Sequence, residues 1–155
     1  MKWLLAILLL SSSSQAQVKQ QSETPLPKEI GDKPHVRLDQ QHSRVLAVFQ
    51  NIEQGIRMCT VEAFDRELGA IISIAIGSGE RRYFSMNQAA SVLTEYFSAR
   101  RPISFGFSRI YEKGNAPYAT GRLVYVQKGN QGSVQVYVSL TRQDSRWVIN
   151  QFNIY

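Results

Sequence analysis

The sequence has few of the residues that metal sites and nucleophilic active sites use. Among its 155 residues there are one cysteine, Cys59, and two histidines. A single cysteine has no partner within the chain, which excludes an internal disulfide and leaves the fold dependent on its apolar core. We expect Cys59 to be a small buried apolar residue rather than a nucleophile. Because no His/Cys cluster has the spacing of metal ligands and no glycine-rich phosphate loop precedes a helix, we predict no metal site and no cofactor.

An apolar run long enough to cross a membrane is also absent, since a spanning helix needs about 20 such residues. The run at residues 3–10 is short, follows Lys2, and precedes Ser14-Gln15-Ala16, which places small residues at the −3 and −1 positions of a cleavage site. This layout is typical of a secretory signal peptide. We therefore predict that residues 1–16 are a signal peptide cleaved after Ala16. The chain is then exported to the periplasm or the extracellular space and does not span a membrane.

Carboxylates are scarce relative to basic residues, with 12 Asp and Glu against 18 Lys and Arg and a formal net charge of +6. The basic residues are not interleaved with a run of aromatic residues, so we expect no nucleic-acid binding. The scattered arginines leave open a weak attraction to anionic envelope lipid or polysaccharide. The predicted interior strand at residues 71–76 and the core face of residues 134–140 carry no ionisable side chain. We therefore predict no catalytic residue and favour a protein that is not an enzyme.

The chain after the predicted cleavage site divides into a linker and one domain. Residues 17–36 are rich in Gln, Ser, Pro and Lys and have no apolar period, which predicts a flexible linker. Residues 37–155 form the predicted single domain. Its first element is an amphipathic helix over residues 39–55, predicted from apolar residues at three- and four-residue spacing and ended by Gly55.

Three short elements are predicted to follow the first helix. Thr60 is the predicted N-cap of a short helix over residues 61–68. The β-branched apolar run at residues 70–76 predicts a buried strand. Residues 81–84 are its predicted hairpin partner.

The next helix is marked by a capping box, in which Ser85 and Gln88 satisfy each other's free backbone amides. The helix ends before Pro102, because the residue that precedes a proline is pushed out of helical geometry. Beyond it, four stretches rich in Val, Ile, Tyr and Phe are separated by short turns of Gly, Asn, Asp and Pro, which predicts an antiparallel meander. The four predicted strands are residues 103–113, 118–128, 133–142 and 146–155.

Several stretches of the sequence carry a resemblance to known proteins. They are Phe-Ser-Met-Asn-Gln-Ala at 84–89 with Tyr96-Phe97, Pro-Ile-Ser-Phe at 102–105, Ala-Thr-Gly-Arg-Leu at 119–123 and Trp-Val-Ile-Asn-Gln-Phe at 147–152. In these, the chain resembles the nuclear-transport-factor-2-like superfamily, and more narrowly a family of small exported bacterial proteins known only as a domain of unknown function. The resemblance implies an α+β fold in which a strongly bent antiparallel sheet wraps around N-terminal helices as a cone. The superfamily contains enzymes, transport factors and binding modules, so the fold does not select a function.

The resemblance also implies a pocket between the first helix and the inner side of the sheet. We predict that Phe49, Tyr96 and Phe105 line it as a ligand-binding site. Arg109 joins them if a bulge near Ser108 turns it inward, because the alternation of apolar residues breaks at that point.

Two functions fit these features. We favour an exported, non-catalytic binding or interaction module whose partner is a small apolar ligand or a protein. It self-associates as a homodimer through outward aromatic residues of the sheet, for which Tyr125 or Tyr137 and Trp147 are the candidates. The alternative is a small-molecule enzyme or carrier, similar to isomerases or dehydratases, that uses the pocket. A buried ionisable group facing open volume would decide for the enzyme.

Overall fold

A computed structural model describes the backbone of residues 34–155 and the side chains of residues 39–155. The predicted signal peptide, its cleavage site and the predicted linker as far as residue 33 lie outside the described residues. The elements follow one another as α1 (Pro34–Arg57), two short 3-10 turns (Val61–Ala63 and Asp65–Glu67), β1 (Leu68–Ile76), β2 (Arg82–Ser85), α2 (Met86–Ala99), β3 (Arg101–Tyr111), β4 (Tyr118–Gln127), β5 (Asn130–Gln143) and β6 (Arg146–Ile154).

The first helix is longer at both ends than its apolar period predicts. α1 begins at Pro34, inside the predicted linker, because a proline is tolerated at the first helical position, where its missing N–H is not needed. It also continues past Gly55 to Arg57. A Cβ at Gly55 would lie 2.5 Å from Cδ1 of Phe64, so this glycine lets a phenyl ring pack on the helix backbone and is not a cap. Just beyond the helix, Cys59 has a φ of 56° and is exposed, so the expectation that Cys59 is buried is wrong.

The prediction of a helix over residues 61–68 is also wrong. Two 3-10 turns occupy this stretch, and Leu68 is already the first residue of β1. Thr60 does not cap them; its hydroxyl donates to Oε2 of Glu62 at 2.6 Å, and this bond lowers the pKa of Glu62. Val61, Phe64 and Leu68, which are spaced three and four residues apart, are nevertheless buried. The spacing therefore indicates burial here and not an α-helix.

The predicted meander is confirmed, with small shifts at the strand ends. The sheet has the order β2-β1-β6-β5-β4-β3, and β3 to β6 are antiparallel neighbours. β1 runs parallel to β6, so the sheet is mixed, and it does not close. The register of β3 shifts between Phe107 and Arg109, which confirms the predicted bulge near Ser108. Further register shifts lie between Pro102 and Ser104, between Leu68 and Ser73, and between Ser139 and Leu140. Such bulges bend a sheet.

The inner face of the sheet is the face that packs against α1 and α2. Its cross-strand rows are apolar across the middle of the sheet. One such row consists of Ile74, Phe152, Val138 and Ala119. All four residues are almost completely buried, so this row forms the floor on which the helices lie.

The second helix begins at the predicted capping box. The backbone amide of Ser85 donates to Oε1 of Gln88 at 3.0 Å. Leu93 and Phe97 of its apolar stripe are buried, and the ring of Phe97 meets that of Phe152 edge-on at a centroid distance of 6.4 Å. An aromatic pair of this geometry contributes about 0.5–1.5 kcal/mol beyond its buried area. The start of α2 is therefore determined by local sequence, whereas its docking depends on the long-range contact with β6.

The two edges of the open sheet are β3 and the four-residue β2. Along β3, side chains of α1 take the place of a neighbouring strand. Nε of Arg57 donates to the carbonyl oxygen of Phe105 at 2.6 Å, and the amide of Phe107 donates to Oε2 of Glu53 at 3.3 Å. Glu53 and Arg57 also form an ion pair at 2.6 Å. The pair thus supplies the acceptor and the donor that one residue of an adjacent strand would supply.

Candidate functional site

The four residues predicted to line a pocket lie on two different sides of the sheet. Phe49, Tyr96 and Phe105 belong to the hydrophobic core and are 0%, 7% and 3% exposed. Arg109 follows the bulge, pairs with Thr120, and is exposed on the face turned away from the helices. At these positions the space between α1 and the sheet is occupied by side chains. That these four residues bind a ligand stays a prediction.

The outer face, which is turned away from α1 and α2, carries five of the seven tyrosines. One row of this face crosses all six strands as Tyr111, Tyr118, Ser139, Gln151, Ser73 and Tyr83. The neighbouring row contains Arg109, Thr120, Tyr137, Asn153 and Ala75. Beyond Asn153, Tyr155 exchanges two backbone hydrogen bonds with Gln135. These rows present phenol, hydroxyl and amide groups and contain no carboxylate.

Three tyrosines of the outer face form a stack. The rings of Tyr111 and Tyr118 are 4.5 Å apart with an interplanar angle of 20°, and those of Tyr118 and Tyr137 are 5.6 Å apart with an angle of 27°. Desolvation raises the pKa of Tyr118, and the neighbouring phenols act in the same direction, while Arg109 lowers it. A side-chain hydrogen bond with Tyr111 adds to the raised pKa of Tyr118, so this phenol is already engaged within the stack.

Polar atoms at the centre of the outer face are buried without a protein partner. Among the described residues, the buried polar ones are Ser73, Ser139 and Asn153, which are 7%, 6% and 1% exposed. Nδ2 of Asn153 donates to the hydroxyl of Tyr155 at 2.8 Å. Oδ1 of Asn153 and Oγ of Ser73 have no hydrogen-bond partner within the part of the chain that the structure describes. A buried polar atom without a hydrogen bond lowers stability by about 1–3 kcal/mol, so a partner that hydrogen-bonds to it gains about that much binding free energy.

The aromatic residues predicted to point outward divide between the two faces. Tyr137 lies on the outer face, as predicted. The prediction for Trp147 is wrong, because Trp147 pairs with Arg142 on the inner side and is 7% exposed. Tyr125 is also on the inner side, where it pairs with Gly132 so closely that a Cβ on the glycine would lie 2.8 Å from Cζ of the tyrosine ring. Of the predicted aromatic residues, the outer face therefore carries Tyr137 alone.

Among the described residues, no Asp, Glu or His side chain is buried. No group of three or more His, Cys, Asp and Glu residues within it is placed to hold a metal ion. The buried polar residues on the outer face are two serines and an asparagine, none of which serves as an acid or base near neutral pH. The hydrogen-bonding outer face is thus the candidate functional site.

Four of the five outer tyrosines, and the buried Ser73 and Asn153 of this face, were not predicted from the sequence. A two-residue period contains the signal for some of them. Ser73 lies within Ile-Ile-Ser-Ile, and Asn153 lies between Phe152 and Ile154, so each polar residue must face away from its buried neighbours. Tyr118 likewise alternates with the buried Ala119.

The fold defines the class of protein: two helices on the inner face of an open, six-stranded mixed sheet make an α+β cone of the nuclear-transport-factor-2-like type. In sequence, residues 49–155 match the family model of a domain of unknown function, DUF4783. The chain belongs to this family. A search of the curated proteins finds no match. Within the described residues, no helix combines the length and apolarity that crossing a membrane requires.

Solved structures share this fold. A DUF4783 family protein from Bacteroides uniformis is 15% identical, with a TM-score of 0.62 over 68% of this chain and 93% of that one. An NTF-2-like protein of unknown function from Shewanella oneidensis is 12% identical, with a TM-score of 0.55 over 72% and 96% of the two chains. An inferred dehydratase of the same superfamily from Streptomyces avermitilis is 9% identical, with a TM-score of 0.58 over 76% and 96%. At these identities the likeness shows the fold alone.

Proposed function

We propose that the chain is an exported, non-catalytic interaction module that pairs with a second copy of itself through the outer face of the sheet. The observation that carries the proposal is the set of buried, unpartnered polar atoms at the centre of a tyrosine-rich face. A face with this composition is typical of interfaces, in which tyrosine is enriched and charged residues are depleted at the core.

A second copy fits this face in its hydrogen bonding. Oγ of Ser73 can donate and accept, whereas Oδ1 of Asn153 only accepts. In a two-fold interface residue i of one copy meets residue j of the other and the reverse contact follows, so one serine–asparagine bond is made twice. Both atoms are buried within one chain, so the side chains that cover them have to move aside for this contact, among them the exposed Tyr155 that bonds to Asn153.

The size of the face also suits a dimer. Six strands spaced about 4.8 Å apart are about 24 Å wide, and a nine-residue strand is about 30 Å long. Their product, about 700 Å², is close to the roughly 800 Å² that each partner buries in a standard interface. The exposed arginines Arg109 and Arg122 lie together on β3 and β4, near one edge of the sheet, so a two-fold axis near its centre keeps the arginines of the two copies apart.

The proposed export is based on the N-terminal sequence. Lys2, the apolar run at residues 3–10 and Ser14-Gln15-Ala16 have the order of a signal peptide cleaved after Ala16. An exported chain with one cysteine has no internal disulfide, and pairing is one way for a small exported domain to gain stability.

The second candidate, a small-molecule enzyme or carrier, is suggested by the name of the Streptomyces avermitilis relative. Its chemistry requires an acid or base next to an enclosed volume. The residues predicted for that volume, Phe49, Tyr96 and Phe105, are packed in the core. For this reason we prefer the interaction module.

The proposal is tested by the mass of the chain in solution. The full chain is expressed in a bacterial host that exports it, and the purified product is measured by light scattering coupled to size exclusion over a range of concentrations. We expect twice the mass of one chain, and mass spectrometry should give an N-terminus at Gln17. A product that stays monomeric at every concentration would overturn the dimer, and an uncleaved product would overturn the export.

Two isosteric substitutions separate the face from a general charge effect. Gln151→Glu adds a carboxylate to the central row of the outer face, whereas Gln54→Glu adds one to the exposed side of α1. Two like charges close to a two-fold axis cost several kcal/mol. We expect Gln151→Glu to weaken the dimer at least tenfold and Gln54→Glu to leave it unchanged. Equal weakening by both variants would place the contact elsewhere.

A further inference from the structure

A second set of polar side chains lies on the inner side of the sheet, away from the tyrosine face. These side chains line a cavity of about 320 Å³ between the first half of α1 and the hairpin of β5 and β6. The described residues that line it are Gln40, Gln41, Arg44, Arg142, Ser145 and Trp147. None of them belongs to the proposed dimer face.

The helix contributes three polar residues to this cavity. Gln41 stands four residues before the buried Val45, in line with the stripe that continues to Ile52. Gln40 and Arg44 are four residues apart and therefore neighbours on the helix surface. At the end that faces the β5–β6 hairpin, α1 thus presents the half-buried amide of Gln41 and the exposed side chains of Gln40 and Arg44.

The hairpin fixes the other half of the cavity. Gln143 pairs with Arg146, so the turn consists of Asp144 and Ser145 alone. Both have positive φ, 47° and 69°, as a two-residue type I′ turn requires. The register that follows from this turn places Arg142 directly opposite Trp147, on the side that faces α1. The tight turn therefore fixes the backbone positions from which the exposed side chains of Ser145 and Arg142 extend.

The chemistry of the lining is one-sided. Each of the six side chains carries an N–H or O–H donor, two of them are guanidinium groups, and none is a carboxylate. The ion pair that the structure gives within residues 39–155, Glu53 with Arg57, lies on the other half of α1. Two like charges that line one cavity repel each other, and an anion between them removes that repulsion. Guanidinium groups bind carboxylate and phosphate with two parallel hydrogen bonds.

From these features we propose that the cavity is a binding site for an oxyanion, carried by a small organic acid or a phosphate ester. Arg44 and Arg142 bind the anionic oxygens, and Ser145 and the two glutamines complete the donor set. The volume is at the lower end of the range for small-molecule sites, which excludes a large ligand. The proposal is independent of the dimer, because its residues face the other way.

The experiment measures binding of two probes, inorganic phosphate and acetate, to the full chain exported by its host. Calorimetric titration and thermal unfolding are carried out with chloride adjusted to keep the ionic strength constant. We expect saturable binding, and at a ligand concentration ten times the dissociation constant a rise in melting temperature of roughly 5 °C. Stronger binding of phosphate indicates a phosphate ester as the ligand, and stronger binding of acetate indicates an organic acid.

Matched variants assign the binding to the cavity. Arg142→Gln and Arg44→Gln should each raise the dissociation constant at least tenfold, because a charge-assisted bidentate contact is lost. Arg66→Gln removes the same charge from an exposed position in the second 3-10 turn and should change nothing. Arg142→Lys keeps the charge but cannot form two parallel hydrogen bonds, so its dissociation constant should lie between those of the unchanged chain and Arg142→Gln. Absence of saturable binding, or equal losses in all arginine variants, overturns the proposal.

Discussion

Replacing Gly121 by alanine should strongly destabilise the domain. Gly121 lies on the inner face of β4, paired with Phe107 just before the bulge in β3. A Cβ added there would overlap the carbonyl oxygen of Gly106 and would lie 3.0 Å from the Gly106 carbonyl carbon and 3.0 Å from Cα of Phe107. All three atoms are backbone, so no side chain can rotate to make room.

The expected loss of stability follows from the backbone shift that the added Cβ requires. Overpacking in a dense core costs about 1–3 kcal/mol, and a clash with backbone belongs at the upper end of that range. For a domain of this size, about 3 kcal/mol lowers the melting temperature by roughly 10 °C. Urea denaturation followed by tryptophan fluorescence measures the free energy of unfolding directly.

A neighbouring glycine provides the control. A Cβ at Gly106 would lie 3.8 Å from Nη2 of Arg57 and 4.0 Å from Oε1 of Glu53, which are ordinary contacts. Gly106→Ala should therefore change the free energy of unfolding by less than about 1 kcal/mol, in either direction. If Gly121→Ala lowers the free energy of unfolding no more than Gly106→Ala does, β3 and β4 do not approach each other as closely as described.

Two further predictions concern the polar contacts of the core and of the β3 edge. Burial raises the pKa of Tyr96 above 10.0, although the guanidinium of Arg100, 4.1 Å from the ring centroid, acts in the opposite direction. Because the pKa of Tyr96 is higher in the folded than in the unfolded state, the tyrosine contributes stability below about pH 10, and this contribution is lost as the pH rises through the folded-state pKa. The free energy of unfolding, measured by urea titration, should therefore fall above about pH 10. Tyr96→Phe should lessen that fall. Glu53→Ala should raise the hydrogen-exchange rate of the Phe107 amide up to about tenfold, since a bond worth about 0.5–1.5 kcal/mol is lost, whereas Glu95→Ala should not; an unchanged Phe107 rate contradicts the proposed contact.

The strands could be predicted from the sequence because their signals are local. β5 alternates apolar and polar residues, and short turns separate it from its neighbours. Ser85 and Gln88 likewise predict the start of α2 from residues only three positions apart. Where tertiary packing decides, prediction failed. Gly55 has the appearance of a helix end, yet it is a contact point for Phe64, and residues 61–68 are buried at helical spacing without forming an α-helix.

The side-chain arrangements of the outer face and of the proposed anion-binding cavity were harder to predict, because both depend on the register of the strands. The inward alternation of β5 reaches Arg142, and only the two-residue length of the following turn places Trp147 inward as well. A turn one residue longer would have placed Trp147 on the outer face. The rows that bring Ser73 beside Gln151 require a parallel pairing of β1 with β6, which no local pattern indicates.

The ion pair of Glu53 and Arg57 has a consequence for behaviour at high concentration. An open sheet offers unpaired N–H and C=O groups at its margins, and these are templates on which chains add to one another and grow into fibres. Here side chains of the chain's own helix bond two backbone groups in the middle of one margin, at Phe105 and Phe107, and the other margin is a strand of only four residues. Edge-to-edge addition of copies is thereby hindered at the middle of β3 and at the short strand β2.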